Sequence, residues 1–250
     1  MSATAYHGTP ITPLDVLTHL GPRAYCVSYY RPDQIAQLIS LATVLMIDNG
    51  AFSAWKKGLV LDREYWARFY AFVALWLLVA PAGSWFVIPD VIDAGSQEQD
   101  AHIRECPAEL LPYGVPVWHM DEPISRLLAL IERHGRVCIG STAEFAVVGS
   151  PAWRDRMDEA WNAIWGAFRR IPPVHMLRGM QCLLPTFDYP FSTVDSTDLA
   201  RNHNRMKRYG EHRLWAITQK ANRWDAMAAK RKLIWPPRRL IRQPSMFEAA

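Results

Sequence analysis

Seven short apolar segments, separated by stretches with helical character, constrain the fold of this chain more than any other feature. Each segment is mostly continuous in apolar character, which is typical of strands buried on both faces of a parallel sheet. Because the segments alternate with helical stretches, the pattern predicts an α/β fold with a parallel sheet. The predicted strands are RAYCVSY (23–29), TVLMIDN (43–49), WFVIPDV (85–91), VPVWHM (115–120), RVCIGS (136–141), VHMLRG (174–179) and FSTVDS (191–196).

Three of the intervening stretches carry specific helix signals. Asp62 precedes a long helical pattern and is predicted to be its N-cap. Ser96 and Gln99 have the Ser-x-x-Gln spacing of a capping box, which predicts a helix start at that point. Residues 151–168 place four large side chains near one face, so this face is predicted to pack in the core: Trp153, Met157, Trp161 and Trp165.

The number of strand–helix units predicts a single-domain (β/α)₈ barrel of the TIM type. Seven or eight units in about 250 residues is the usual size of that fold, and RLWAITQ (213–219) is the candidate for the eighth strand. Residues 1–22 are interpreted as a lead, 23–200 as the barrel core, and 201–250 as a basic segment that completes the barrel or binds nucleic acid. A doubly wound open sheet is the alternative, but SYYRPDQ after the first predicted strand lacks the glycine-rich phosphate turn.

Composition and patterning exclude several classes of protein. Half of the residues are hydrophobic, which indicates a globular chain. The first ten residues show no signal peptide, and the longest apolar run, FVALWLLVAPAG, is shorter than the roughly 20 residues that span a bilayer, so no membrane partner is expected. The four cysteines are far apart, which argues against a zinc knuckle or a disulfide scaffold and favours a reducing cytoplasm.

Charge is distributed unevenly along the chain. Residues 201–250 contain 13 Lys and Arg against 3 Asp and Glu, a net charge of +10 in a chain whose total is +4, so the first 200 residues carry −6. This basic segment also contains Trp215, Trp224 and Trp235. Basic and aromatic residues together predict a polyanionic partner such as nucleic acid, and a solvated helical tail is the alternative.

Polar residues stand at the ends of six predicted strands, where a barrel places its active site. A single aspartate at such a position is often only a turn cap. Several at separate strand ends repel one another, and such a cluster is usually retained for chemistry. These residues are Ser28, Asp48, Asp90, His119, Ser141 and Asp195.

Two chemistries suit this ring of residues. Metal binding by Asp and His is one, although the sequence contains no HxH, HxxxH or HExxH pattern. The other is glycosyl transfer, in which one carboxylate attacks the anomeric carbon and a second acts as general acid and base. Asp195 and Asp48 would be that pair, and Phe52 could stack on a flat base.

Five motifs that occur in order between residues 23 and 205 suggest a family: IDNGAF, IPDVID, VPVWHM, CIGSTAEF and STVDSTDLARN. The series resembles the queuine/archaeosine tRNA-guanine transglycosylases, and more closely their phage and bacterial relatives that insert 7-deazaguanines into DNA. The resemblance implies that Asp195 is the nucleophile and Asp48 the proton-transfer group. It also implies base-binding roles, with Phe52 packing on the base, Asp90 reading its guanine-like edge, Gly140 and Ser141 offering backbone contacts, and His119 standing where the family usually has Gln.

Departures from the tRNA enzymes favour DNA as the substrate. No cysteine-rich zinc site follows Asp195, so no cofactor is expected, and the chain is shorter than those enzymes. The resemblance therefore implies a DNA-guanine transglycosylase that inserts a preQ0-like 7-deazaguanine base, in the cytoplasm of a bacterium or a phage-infected cell. The residues just after the nucleophile motif are candidates for phosphate binding: Arg201, Arg205, Lys207 and Arg208.

Three other functions remain open from the sequence. A tRNA-guanine transglycosylase would use the same residues on a different polymer. A nucleoside or glycoside hydrolase on the same barrel would use the same two aspartates with water as the acceptor. A non-enzymatic DNA-binding module would need neither Asp48 nor Asp195. The fold alone does not choose among these, and the sequence does not predict the oligomeric state.

Overall fold

The sheet contains nine parallel strands, in the order β5-β4-β3-β2-β1-β9-β8-β7-β6. The computed structural model describes residues 2–92, 94–202, 210 and 212–235. Together with the helices between the strands, this arrangement confirms the predicted (β/α)₈ barrel. The strands are β1 (Thr4–Gly8), β2 (Arg23–Ser28), β3 (Ala42–Asp48), β4 (Trp85–Val87), β5 (Gly114–Val115), β6 (Val117–His119), β7 (Val137–Gly140), β8 (Val174–Met176) and β9 (Thr193–Ser196).

The barrel is nearly closed because β5 and β6 are two parts of one strand, separated only by Pro116. β5 pairs with β4, and β6 pairs with β7 on the other side. Proline has no N–H to donate, so it interrupts the regular ladder. Its carbonyl oxygen still accepts a hydrogen bond from the Cys138 N–H at 2.8 Å. The two edges of the sheet are therefore joined by a continuous piece of chain.

Helices surround the sheet and bury its outer face. The predicted cap is present, since the Asp62 carboxylate accepts the Tyr65 N–H at 2.8 Å. Trp153, Met157 and Trp161 are fully buried as predicted, whereas Trp165 is half-buried. Each such buried side chain contributes roughly 1.5–3 kcal/mol. The helices are α1 (Leu14–Leu20), α2 (Ile35–Leu41), α3 (Ala51–Trp55), α4 (Arg63–Leu77), α5 (Ser96–Arg104), α6 (Ile124–His134), α7 (Pro151–Phe168), α8 (Asp198–Asn202) and α9 (Arg213–Lys230).

The prediction of a strand at 213–219 is wrong, because these residues lie in α9. The remaining strand is β1, within the segment interpreted as a lead, and it pairs with both β2 and β9. α9 packs against β1, where Asp225 accepts a hydrogen bond from His7 at 2.8 Å. The described part of the basic segment thus adds to the helical layer and not to the sheet.

The barrel has an interior that is distinct from the layer between sheet and helices. Its buried residues include Tyr6, Cys26, Trp85 and Cys138. All four cysteines of the chain are buried and unpaired, which agrees with the prediction that no disulfides stabilise the fold. Within the described ranges, no helix is both long and apolar enough to cross a membrane.

Candidate active site

A cavity of about 1090 Å³ opens at the carboxyl ends of the strands. Loops at this end of a barrel carry the active site in TIM-barrel enzymes. Every predicted site residue that lies in the described ranges lines this one cavity: Asp48, Phe52, Asp90, His119, Gly140, Ser141, Asp195 and Arg201. Arg205, Lys207 and Arg208 lie outside the described residues.

Asp48 ends β3 and is followed by a turn that requires glycine. Gly50 has a φ of +81°, and a Cβ there would lie 2.8 Å from the Tyr30 backbone nitrogen. The Gly50 N–H donates to Asp48 Oδ2 at 3.1 Å. Asn49 fixes the turn to the next strand end, because its Nδ2 donates to the Ile88 carbonyl at 2.9 Å and to Asp90 Oδ1 at 2.7 Å. Asp48 therefore supports a turn and also faces the cavity.

The environment of Asp48 favours its protonated form more than water would. Burial raises the pKa of Asp48 from 3.8 to about 6, and the negative charge of Asp195 adds to the rise. The Ser28 hydroxyl and the Gly50 amide act in the opposite direction. A carboxyl group with a pKa near the working pH can both release and accept a proton, as general acid–base catalysis requires.

Asp195 lies on β9 and is buried. Its Oδ1 accepts the Arg178 backbone N–H at 2.6 Å and lies 3.3 Å from His175 Nε2. His175 is on the neighbouring strand β8 and is fully buried. The carboxylate is thus held in one orientation by a backbone group and an imidazole.

Asp90 and His119 form a second carboxylate–histidine pair, with 2.8 Å between Asp90 Oδ2 and His119 Nε2. Burial disfavours the imidazolium, but the hydrogen bond and charge of Asp90 outweigh it, so the pKa of His119 is raised. Gln99 acts against protonation of His119, because its Nε2 lies 3.2 Å from His119 Nδ1. An amide N–H can donate to this nitrogen only when the nitrogen carries no proton. The Gln99 amide orientation is fixed by Val91, whose N–H donates to Oε1 at 3.1 Å and whose carbonyl accepts from Nε2.

Gly140 and Ser141 bring backbone to the cavity wall at the end of β7. A Cβ on Gly140 would lie 3.0 Å from His119 Cδ2, so a larger residue would press on the His119 ring. The Ser141 hydroxyl accepts the Trp153 indole N–H at 3.0 Å, which ties this side chain to helix α7. These two residues can offer a ligand their backbone groups, and the Ser141 hydroxyl can still donate its own proton.

Aromatic and cationic side chains surround the mouth of the cavity. Phe52 is 36% exposed, and the Arg178 guanidinium lies 3.9 Å above its ring. Lys56, Lys57, Arg178 and Arg201 are exposed and line the cavity, and we call these four residues the cationic rim. Within the described ranges, none of the four forms an ion pair with another residue.

Sequence reasoning missed several residues of this site. Lys56 and Lys57 follow the predicted Asp48 turn closely in the sequence. Their closeness to Asp48 along the chain could have indicated that they lie near the same site. His175 occurs in the predicted strand VHMLRG, but its side chain faces the barrel interior and reaches Asp195 only through the pairing of β8 with β9. No local pattern in the sequence identifies such a contact.

Comparison with protein-family models, with curated proteins and with solved structures found no match to this chain. Among the residues that the structure describes, no group of three or more His, Cys, Asp or Glu side chains is arranged to hold a metal ion.

Proposed function

We propose that this chain is a DNA-guanine transglycosylase that exchanges guanine in DNA for a preQ0-like 7-deazaguanine through a covalent intermediate on Asp195. The observation that carries the proposal is the presence of two carboxylates with different surroundings in one cavity. Asp195 Oδ1 accepts the Arg178 backbone N–H and lies 3.3 Å from His175 Nε2, whereas Asp48 has a pKa of about 6, raised by burial and by the charge of Asp195. Such a pair supplies the nucleophile and the acid–base group of a double displacement.

The chemistry balances with these two residues alone. The Asp195 carboxylate attacks C1′ of the target deoxyguanosine, and the bond from C1′ to the base nitrogen breaks with its electron pair going to the base. Protonated Asp48 gives its proton to the departing guanine. The incoming deazaguanine then loses a proton to Asp48 and attacks C1′, which releases the Asp195 carboxylate.

The far side of the cavity suits the edge of a guanine-like base. That edge presents N–H donors, and Asp90 offers carboxylate acceptors held in place by Asn49 and His119. Phe52 at the mouth can pack on the face of the base. The backbone at Gly140 and Ser141 can pair with the remaining polar atoms.

The charge arrangement suits a nucleotide that enters base first. Three carboxylates line the cavity, and the cationic rim surrounds its mouth. A target base must leave the duplex stack before C1′ can be attacked, so its flanking phosphates would remain outside the cavity. Phosphate contacts of this kind supply affinity without sequence information. The choice of DNA over tRNA rests on the resemblance.

A base-exchange assay with radiolabelled DNA and unlabelled deazaguanine tests the proposal. The wild-type protein should release labelled guanine and incorporate the deazaguanine, and a DNA–protein adduct should be trapped in denaturing gels. Asp195→Asn is nearly isosteric and should abolish both exchange and adduct while the protein stays folded.

Each other outcome of this assay identifies a different function. Exchange into tRNA but not DNA indicates the tRNA enzyme, and guanine release without incorporation indicates a hydrolase. Binding to DNA with neither reaction indicates a non-enzymatic module. Any of these three results contradicts the proposed function.

A further inference from the structure

A chain of polar side chains runs from the barrel interior to the proposed nucleophile. Arg136 Nη2 donates to Thr193 Oγ1 at 3.3 Å, and Thr193 Oγ1 lies 2.8 Å from His175 Nδ1. His175 Nε2 lies 3.3 Å from Asp195 Oδ1. Thr193 and Asp195 are two residues apart on β9, so their side chains point to the same face of the strand.

Donor and acceptor chemistry gives this chain one favoured direction. Arginine has only donors, so Arg136 occupies an acceptor site of the Thr193 hydroxyl. If His175 carried its proton on Nδ1, the buried Thr193 hydroxyl would lack an acceptor among the described residues. In addition, the bare Nε2 would face a carboxylate oxygen that already accepts the Arg178 N–H. With the proton on Nε2, every contact pairs one donor with one acceptor.

The ring of His175 is held neutral as well as oriented. Burial lowers the pKa of His175, and the nearby Arg136 cation adds to the lowering, although Asp195 opposes both. The ring packs edge-on against Tyr6 and Trp85, with centroids 6.2 and 5.1 Å away. Arg136 itself is fixed by stacking 3.8 Å from the Trp85 ring centre. A neutral imidazole has a single N–H. Asp195 accepts a hydrogen bond from His175 only if that N–H is on Nε2.

Asp195 Oδ1 accepts two N–H groups, one from the Arg178 backbone and one from His175. No described residue donates a hydrogen bond to Oδ2. We propose that Arg136, Thr193 and His175 are positioning residues that fix the Nε2–H tautomer of His175, hold Asp195 by Oδ1 and leave Oδ2 as the attacking atom. This inference rests on the proposed function for the identity of the attacked atom, but the tautomer and the orientation can be measured without turnover.

The attack can then be assigned to atoms. An electron pair of Asp195 Oδ2 forms the bond to C1′, while Oδ1 keeps both hydrogen bonds and becomes the carbonyl oxygen of the resulting ester. The bond to the base breaks, and the departing base takes the proton of Asp48. His175 transfers no proton in this step.

The test is nitrogen NMR of the full chain labelled with ¹⁵N-histidine. The signal of His175, one of eight histidines, is assigned by its loss in His175→Gln. In the wild type, His175 should show a protonated Nε2 and an unprotonated Nδ1 at neutral pH. A protonated Nδ1 in the wild type overturns the inference by itself, so the test does not depend on the stability of any variant.

Two substitutions at Thr193 isolate the hydroxyl. Thr193→Val keeps the shape of the side chain but removes the group that donates to Nδ1, so His175 should lose its single Nε2–H tautomer. Thr193→Ser keeps the hydroxyl and should retain the wild-type signal. If Thr193→Val leaves the tautomer of His175 unchanged, the hydrogen bonds from Arg136 through Thr193 do not set that tautomer, and the inference is wrong.

Kinetics separate this inference from the proposed function. Thr193→Val should lower kcat for base exchange by about 10- to 100-fold with little change in KM, the range found for outer-shell residues that orient a metal-bound imidazole. Thr193→Ser should restore most of the rate. If the wild type lacks exchange activity but shows the Nε2–H tautomer and its loss in Thr193→Val, the proposed function fails and the positioning chain stands.

Discussion

Replacing Asp48 by Asn should make the protein more stable at neutral pH while making it a much poorer catalyst. The two effects have one cause, because the cavity holds a carboxylate that water would solvate better. Asn is close in shape and can still accept the Gly50 N–H that Asp48 Oδ2 now accepts at 3.1 Å. It cannot exchange a proton with the base, and loss of a general acid–base group typically slows turnover about 10²- to 10⁴-fold.

The size of the stability gain follows from the raised pKa. Burial, helped by the charge of Asp195, raises the pKa of Asp48 from 3.8 in its ordinary state to about 6. The folded protein therefore binds this proton more tightly than the unfolded chain, and stability is lost as the pH rises through that interval. At 1.36 kcal/mol for each pH unit, the full loss is about 3 kcal/mol. Because Asp48 is only half-buried, solvent screening reduces this value to about 1–3 kcal/mol.

Thermal or urea unfolding of wild type and Asp48→Asn across pH measures this difference. Below about pH 4 the two proteins should be equally stable. Above about pH 7 the variant should be more stable, with a Tm higher by about 2–4 °C for each kcal/mol gained. Asp155→Asn is the matched control for the loss of a carboxylate elsewhere, since Asp155 is exposed on α7 and does not line the cavity.

Two results would refute this reasoning. If Asp48→Asn is less stable than wild type at every pH, the carboxylate serves mainly to hold its turn. If the variant gains stability but exchanges bases at the wild-type rate, the raised pKa is a consequence of burial alone and Asp48 has no part in proton transfer.

Two further predictions concern groups around the cavity. Replacing Lys57 and Arg201 of the cationic rim by Ala should reduce the slope of log affinity for DNA against log salt by about 0.7–0.9 for each phosphate that the variant no longer binds. Arg104 and Arg133, exposed at the other end of the barrel, form the matched control pair, and equal slopes in both double variants would contradict a role for the rim. Gln99→Glu replaces the N–H that faces His119 Nδ1 by an acceptor, so the pKa of His119 should rise further. If a proton NMR titration gives His119 the same pKa in Gln99→Glu as in the wild type, Gln99 does not control that pKa.

The barrel could be predicted from the sequence because its strands are sheltered on both faces. Seven of the predicted runs overlap observed strands. In a barrel, one face of each strand is buried by the helices and the other by the packed interior, so the strand reads as a continuous apolar run. β1 was missed because its five residues, TAYHG, are not a continuous apolar run. It is a strand because β2 and β9 provide hydrogen bonds on both edges, and such partners are distant in sequence.

The candidate site could be predicted in outline for a related reason. Once the fold is a barrel, the end of each strand is known, and a polar residue there must face the same cavity. The contacts between those residues could not be predicted, and Gln99 is the clearest case. Its spacing from Ser96 predicts a capping box, but Gly95 is the N-cap of α5 and no side chain caps it. The Gln99 side chain instead binds the Val91 backbone and faces His119.

The two carboxylates of the proposed reaction differ in the groups that contact them, and this difference supports giving them different roles. Asp195 Oδ1 accepts two N–H groups, at 2.6 and 3.3 Å, whereas Asp48 accepts one backbone N–H at 3.1 Å. N–H donors stabilise a carboxylate, whereas burial favours the protonated acid. The residue that must attack as an anion is held by two N–H donors, whereas at Asp48 burial and the charge of Asp195 outweigh the Ser28 hydroxyl and the Gly50 amide, so the pKa of the residue that must carry a proton is raised. A reversed assignment, with Asp48 attacking, would require the group whose pKa is raised to about 6 to act as the anion and the group that accepts two N–H donors to supply the proton.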